Sequence, residues 1–152
     1  MYKKILVPLD GSDLAECVLS HVKSLFKDGS EGEATLLNVV KVDIPWAEVY
    51  DKKTFDLEAI RKPLFSASKK YLTKAASKLK SNGIKVKTEV REANQVAESI
   101  MDYAQKNGMD LIVMTTHGHT GFKKLMLGSV AFGVLHESHV PVLLIRPESC
   151  RA

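Results

Sequence analysis

The stretch that most constrains the fold of this chain runs from Leu111 to Leu135. It opens with the uninterrupted apolar run LIVM, which is typical of a strand that other elements cover on both faces. It ends in Gly128 and Ser129, after which apolar residues recur with helical spacing, and Ser129 is the predicted N-cap. The loop in between contains Gly118, where the backbone can turn sharply or approach a ligand closely. The predicted order is therefore strand, glycine loop, helix.

This order has two interpretations. The first N–H groups of a helix lack intrahelical partners and carry partial positive charge, so an anion such as phosphate is stabilised there. The chain has no lysine of the Walker type after the loop, so backbone N–H groups and hydroxyls would hold such a phosphate. The other interpretation is an ordinary loop that joins a buried strand to a helix. The residues alone leave both interpretations open.

Four further segments have the pattern of strands, and helical patterns separate them. The predicted strands comprise residues 4–9, 34–42, 84–90 and 142–145, and the helices between strands begin near residues 13, 57, 94 and 129. Charged and apolar residues alternate in 84–90, which predicts a strand near a sheet edge. Together these elements predict a single α/β domain over residues 1–147, an open parallel sheet of five strands with helices on both faces. Residues 148–152 are predicted to form a loose tail.

Several candidate site residues fall at the ends of predicted strands. In open parallel sheets, ligands bind beyond the carboxyl ends of the strands, near the point where the strand order reverses. Pro8, Leu9 and Asp10 end the first strand, Val39 the second, and Met114, Thr115, His117 and Gly118 the central one. We therefore expect three strand ends to converge on one crevice beside Ser129.

Charge and hydropathy restrict the class of partner. The formal charge of +4 arises from Lys and Arg residues that are spread along the chain among Asp and Glu, which favours a solvated surface over a nucleic-acid-binding face. The apolar run ILV near the N-terminus is too short for a signal peptide or a membrane span, so we expect no membrane partner. Residues 43–56 lack clear periodicity; Trp46 there either closes over a ligand, pairs with another subunit or packs on the body.

The central stretch resembles a known motif. The letters TTHG, nine further residues and then GS are similar to the nucleotide loop of the universal stress protein family, G-x-x-G, nine residues, G-S or G-T, with Thr115 in place of the first glycine. The resemblance extends over essentially the whole chain, through the segments KKILVPLDGS, LLNVV, VAESI and PVLLIR. It implies a five-stranded sheet of order 3-2-1-4-5, the adenine nucleotide alpha hydrolase-like fold.

The resemblance also implies a ligand and a set of contacts. The ligand would be ATP, or AMP or ADP, with or without magnesium. The adenine and ribose would contact Pro8, Leu9, Asp10, Val39, Met114, Thr115, His117 and Gly118, and the phosphates would contact Gly128, Ser129, Val130 and Ala131. Asp10 suits ribose hydroxyls because a carboxylate only accepts hydrogen bonds, although turn and cap formation is its other candidate role. His117 is expected mainly to brace the loop. Members of the family commonly dimerise through the last strand, here Val142 to Arg146.

The leading hypothesis is a cytoplasmic universal stress protein, a homodimer that binds an adenine nucleotide and acts as a regulatory module through a protein partner not yet identified. No catalytic or metal-binding residue is assigned, so slow ATP hydrolysis is the most that we expect. Three alternatives remain open. The first is a family member that has lost nucleotide binding and acts through protein contacts, and Thr115 motivates it. The second is an enzyme that transfers adenylyl or phosphoryl groups, and the third is a flavin-binding electron carrier with Trp46 and Tyr50 as candidate stacking residues.

Overall fold

The protein is built on one parallel sheet. The computed structural model describes residues 1–26, 31–44, 56–117 and 127–147. The strands are β1 (Lys4–Pro8), β2 (Glu33–Val40), β3 (Lys85–Glu92), β4 (Leu111–Thr115) and β5 (Val142–Ile145). All paired strands run parallel in the order β3-β2-β1-β4-β5, so the order reverses between β1 and β4. The predicted sheet and its 3-2-1-4-5 order are confirmed.

Helices connect the strands and cover both faces of the sheet. They are α1 (Asp13–Glu16), α2 (Val18–Leu25), α3 (Leu57–Lys80), α4 (Val96–Lys106) and α5 (Ser129–Glu137). Successive residues of a strand point to opposite faces of the sheet. In β1, Ile5 and Val7 therefore pack in one core with residues of α1, α2 and α3. Leu6, between them, packs in a second core with residues of α4 and α5. The predicted coverage of both faces is therefore confirmed.

β3 lies at the edge of the sheet, as its alternating pattern predicts. Its charged side chains form ion pairs along the rim, where Lys87 Nζ lies 3.0 Å from Glu33 Oε1 and Arg91 Nη1 lies 3.1 Å from Asp102 Oδ2. Glu92, its last residue, pairs with Arg61 of α3 at 2.7 Å. The strand continues two residues beyond the predicted end because its ladder with β2 extends to Glu92.

The long helix α3 begins at Leu57, near the predicted start, and contains a proline. Asp56 is the N-cap and accepts a hydrogen bond of 3.0 Å from the backbone N–H of Glu58. The helix then continues through Pro63, which is exposed. Proline in a helix interior removes one backbone hydrogen bond. The side chains of Leu72, Ala75 and Leu79 anchor this helix in the core.

Some predictions fall outside the described residues. These are the segment with Trp46 and Tyr50, Gly118 of the loop, and the tail from 148 to 152. Within the described segments, none of the helices combines the length and apolar composition that crossing a bilayer requires.

Candidate functional site

A cavity of about 430 Å³ opens where the strand order reverses, at the carboxyl ends of β1, β2 and β4 and the start of α5. All but two of the predicted site residues line it, namely Pro8, Leu9, Asp10, Val39, Met114, Thr115, Gly128, Ser129, Val130 and Ala131. Of the other two, His117 does not line it, and Gly118 lies outside the described residues. The predicted convergence of three strand ends beside the helix is therefore present.

The sequence analysis missed part of the wall. The additional lining residues are Ala15, Leu37, Lys41, Val96, Ile100 and Thr116. Thr116 lies between two predicted site residues, Thr115 and His117, and could have been included on that ground. Lys41 lies inside the predicted strand 34–42, and nothing in the pattern singles it out. The others come from helices or from inside β2, and only the folded arrangement brings them to the cavity. Leu37 and Ile100, together with Val39 and Met114, form an apolar wall.

The turn after β1 is closed by hydrogen bonds that its own side chains accept. Asp10 Oδ1 accepts from the backbone N–H of Ser12 at 2.9 Å and from its hydroxyl at 2.5 Å. Ser12 Oγ in turn accepts from Ala15 N–H at 3.1 Å and so caps α1. Gly11 between them has φ +87°, a conformation that disfavours a side chain. Asp10 thus has the turn-forming role that the sequence suggested, and because a carboxylate has about four acceptor positions, it retains the capacity to accept from a ligand.

A buried polar link holds the floor of the cavity. Asn38 of β2 donates from Nδ2 to the Leu9 carbonyl at 2.6 Å, and its Oδ1 accepts from Ser68 Oγ of α3 at 2.6 Å. Leu9 N–H also donates to the Leu37 carbonyl at 2.8 Å. These bonds hold both the N–H and the carbonyl of Leu9, the residue before Asp10, to β2.

Tyr71 of α3 also holds the turn after β1. Its hydroxyl donates to the Ser12 carbonyl at 3.4 Å. Burial raises the pKa of Tyr71 well above its ordinary value, and the nearby carboxylates of Glu16 and Asp10 raise it further because they repel the phenolate. The phenol is therefore held in its neutral, hydrogen-bond-donating form.

The end of β4 is braced by threonine hydroxyls. Thr115 Oγ1 donates to the His117 carbonyl at 2.7 Å, and Thr116 Oγ1 lies 2.8 Å from His117 Nδ1. Thr116 N–H donates to Ile145 of β5, and its carbonyl accepts from Gly128 N–H at 2.8 Å. Nε2 of His117 is buried, with no hydrogen-bond partner among the residues described. These contacts hold His117 to the end of β4, and its role in bracing the loop that follows stays a prediction.

The start of α5 differs from the prediction in one respect. The N-cap is Gly128, which makes no side-chain capping bond, and Ser129 is the first helical residue. The prediction of Ser129 as N-cap is wrong because the chain enters the helix one residue earlier; Gly128 carbonyl already accepts from Phe132 N–H at 2.8 Å. Gly128 has φ −61° and ψ 154°, angles open to any residue, so the backbone conformation does not by itself require glycine there. Gly128 lines the cavity, so a side chain at this position would border it.

The lining of the cavity combines two kinds of groups. Apolar side chains such as Leu37, Val39 and Met114 occur together with the Asp10 carboxylate and the N-terminal end of α5. Cavities of this size with a few placed polar groups are typical of small-molecule sites. In the described part of the chain, no group of three or more metal-ligating side chains comes together.

Comparison with known proteins gives consistent matches. The model of the universal stress protein family matches residues 1–146. The universal stress protein MJ0531 of Methanocaldococcus jannaschii is 33% identical over 147 residues, covering 96% of this chain and 83% of that protein. MJ0577 of the same organism is 32% identical with 96% of both proteins covered. Its solved structure matches with a TM-score of 0.81 and 34% identity over 96% of each chain.

More distant structures share the fold. A universal stress protein solved in complex with cAMP matches with a TM-score of 0.63 at 18% identity, covering 96% of this chain and 98% of that one. A family protein from Arabidopsis thaliana solved with AMP bound matches with a TM-score of 0.65 at 15% identity, covering 95% and 91%. At these identities the likeness concerns the fold.

Proposed function

The chain belongs to the universal stress protein family, and on this premise we propose that it binds an adenine nucleotide, ATP before AMP or ADP, as a cytoplasmic regulatory module of the stress response. The cavity at the strand reversal carries the proposal, because its lining combines apolar side chains with the Asp10 carboxylate and the N-terminal end of α5. Two proteins of the same fold were solved with cAMP and with AMP, and both ligands are adenine nucleotides.

Each part of a nucleotide has a matching part of the wall. The adenine ring fits against Val39 and Met114, and the ribose hydroxyls lie within reach of the Asp10 carboxylate. The phosphates go to Gly128 and Ser129, where the first N–H groups of α5 and the helix dipole favour an anion. A magnesium ion would enter with the phosphates, since Mg²⁺ usually keeps several waters and binds through substrate phosphates and one or two carboxylates.

We expect regulation by binding, with slow hydrolysis at most. Rapid phosphoryl transfer needs a positioned water and charge stabilisation at the transferred group. Among the described residues that line the cavity, Asp10 and Lys41 carry charge, and Asp10 Oδ1 already accepts two bonds from Ser12. Single-turnover assays with labelled ATP measure the rate directly. Turnover of several per second would instead indicate the phosphoryl- or adenylyl-transferring enzyme.

Calorimetric titration tests the binding proposal. The ligands are ATP with magnesium, AMP and flavin mononucleotide, and the variant is Gly128→Val. We expect saturable ATP binding by the wild type and its loss in the variant, because the added side chain occupies the space beside the phosphates while the backbone angles of Gly128 still permit it. Ala67→Val, at an exposed position of α3, adds branched bulk elsewhere and should bind like the wild type. Binding of the flavin alone would refute the proposal.

Thr115 motivates the second candidate function, protein contacts without a nucleotide. It replaces the first glycine of the motif, lines the cavity and donates its hydroxyl to the His117 carbonyl. If the wild type binds no nucleotide and Thr115→Gly does, the threonine blocks the site and this candidate replaces the first. If both proteins bind ATP, the cavity accommodates the threonine.

We also propose that two copies associate along β5. This strand ends the sheet, and the carbonyls of Pro141 and Ile145 bond to β4, so the backbone groups of the alternating residue Leu144 point to the outer edge. Proline cannot donate to a ladder, so Leu144→Pro should reduce the solution mass to that of a monomer while the circular dichroism spectrum is retained. A wild type that stays monomeric at high concentration would contradict this interface.

A further inference from the structure

A second cavity adjoins the proposed nucleotide site. It measures about 350 Å³ and shares Lys41, Val96, Ser129 and Val130 with the main cavity. Its other walls come from α4 and α5, which approach so closely that a Cβ added at Gly133 would lie 3.0 Å from Ala97 Cβ. Because the shared residues include the start of α5, the adjoining cavity continues from the end where the phosphates are proposed to lie.

Lys41 stands at the junction of the two cavities. It is exposed and directly follows β2. Among the described residues that line either cavity, Lys41 is the one cation; the other charged side chains are Asp10, Glu98 and Glu137. The ion pairs found in the described segments do not include it. Its ammonium group is thus available to an anion from solution.

The positive charge of Lys41 lies near two carboxylates of the adjoining cavity, Glu98 and Glu137. Glu98 and Glu137 repel a phosphate chain that extends into the adjoining cavity, whereas an ammonium at its entrance offsets that repulsion. A nucleoside monophosphate would place its one phosphate at Ser129, which both cavities share. A di- or triphosphate would continue beyond that point, because each added phosphate lengthens the chain and adds negative charge.

We infer that Lys41 is a specificity-determining residue that makes this site prefer nucleotides with a polyphosphate chain over nucleoside monophosphates. The inference rests on the proposed nucleotide site. Lys41 contacts the phosphates beyond the first through its ammonium group, as a flexible point charge. It thereby supplies in part the cation that a Walker lysine supplies elsewhere, from a different strand and without a Walker motif.

The test compares three ligands on matched variants. ATP, ADP and AMP are titrated calorimetrically into the wild type, Lys41→Met, which keeps much of the side chain but removes the charge, and Lys41→Arg, which keeps the charge. Lys69→Met, on the exposed face of α3, is the control for lost net charge. We expect Lys41→Met to weaken ATP and ADP binding about 5- to 30-fold and AMP binding less than about 2-fold. Lys41→Arg and Lys69→Met should stay close to the wild type.

Salt dependence provides a second readout. Raising the ionic strength should weaken ATP binding to the wild type more than to Lys41→Met, because an exposed charge pair is screened by salt. Equal losses of ATP and AMP affinity in Lys41→Met, or no loss, would overturn the role of Lys41 and leave the nucleotide site intact. No binding of any of the three ligands to the wild type would overturn both proposals.

Discussion

Replacing Asn38 by alanine tests the buried link that supports the cavity. The side chain is 8% exposed and makes two hydrogen bonds of 2.6 Å, one to the Leu9 carbonyl and one from Ser68 Oγ. The substitution removes both bonds and leaves two buried polar groups without this partner. We expect a large loss of stability, because Asn38 is buried in β2 between the apolar residues Leu37 and Val39.

The size of the stability loss follows from the two groups that lose their partner, the Leu9 carbonyl and the Ser68 hydroxyl. A buried donor or acceptor that loses its partner costs about 1–3 kcal/mol. The Ser68 hydroxyl lies on a helix and can turn towards a carbonyl one turn back, so its share is small. The Leu9 carbonyl is held in direction by the neighbouring bond from Leu9 N–H to Leu37. Asn38→Ala should therefore lower the free energy of unfolding by about 2–4 kcal/mol, and Ser68→Ala by about 1–2 kcal/mol.

Urea unfolding followed by far-ultraviolet circular dichroism measures these losses as shifts in midpoint at unchanged slope. Asn94→Ala is the matched control, since Asn94 is exposed, and it should change the free energy of unfolding by less than about 0.5 kcal/mol. The double variant of Asn38 and Ser68 should lose less than the sum of the single variants, because the two side chains share one bond. A loss in Asn38→Ala equal to that of the control, or strict additivity, would refute the reasoning.

Two further predictions concern packing and pH. Gly32→Ala should destabilise the protein by about 1–3 kcal/mol, because the new Cβ would overlap the ring of Phe26. Phe26→Leu in the same chain should recover part of this loss in urea unfolding. Equal losses with and without Phe26→Leu would contradict the prediction. Burial raises the pKa of Tyr71, so the stabilisation from its neutral phenol is complete below the ordinary pKa of about 10 and is lost as the pH rises above it. Tyr71→Phe should therefore show a shallower fall of stability between pH 9 and 11 than the wild type, and parallel curves would show that Tyr71 does not cause the fall.

Much of the fold could be predicted from local patterns. The LIVM run of β4 is buried throughout, and the alternation in β3 gave its edge position, because burial of a strand determines its sequence period directly. The start of α5 was less accurate. Gly128 rather than Ser129 caps this helix, since tertiary packing decides between competing cap residues.

The residues of the candidate site also fall into those that the sequence could predict and those that it could not. Pro8, Val39 and Gly128 lie at element ends, and the rule that ligands bind at strand ends was enough to bring them together. Asn38 and Lys41 could not be assigned. Asn38 has its partner Ser68 thirty residues away on α3, and Lys41 gains its place from a cavity between α4 and α5. Neither relation leaves a periodic signal in the sequence.

The supports of the cavity and its ligand-facing groups come from different elements, and this separation has a measurable consequence. The floor is held by α3, through the bond of Ser68 to Asn38 and the bond of Tyr71 to the turn after β1. The groups proposed to select the ligand, Gly128 and Lys41, lie at the ends of other elements and belong to neither of those bonds. Substitutions in the floor should therefore lower stability first, and affinity only as the turn with Asp10 loosens. Substitutions at Gly128 and Lys41 should change affinity at nearly constant stability, so a plot of affinity loss against stability loss should separate the two sets.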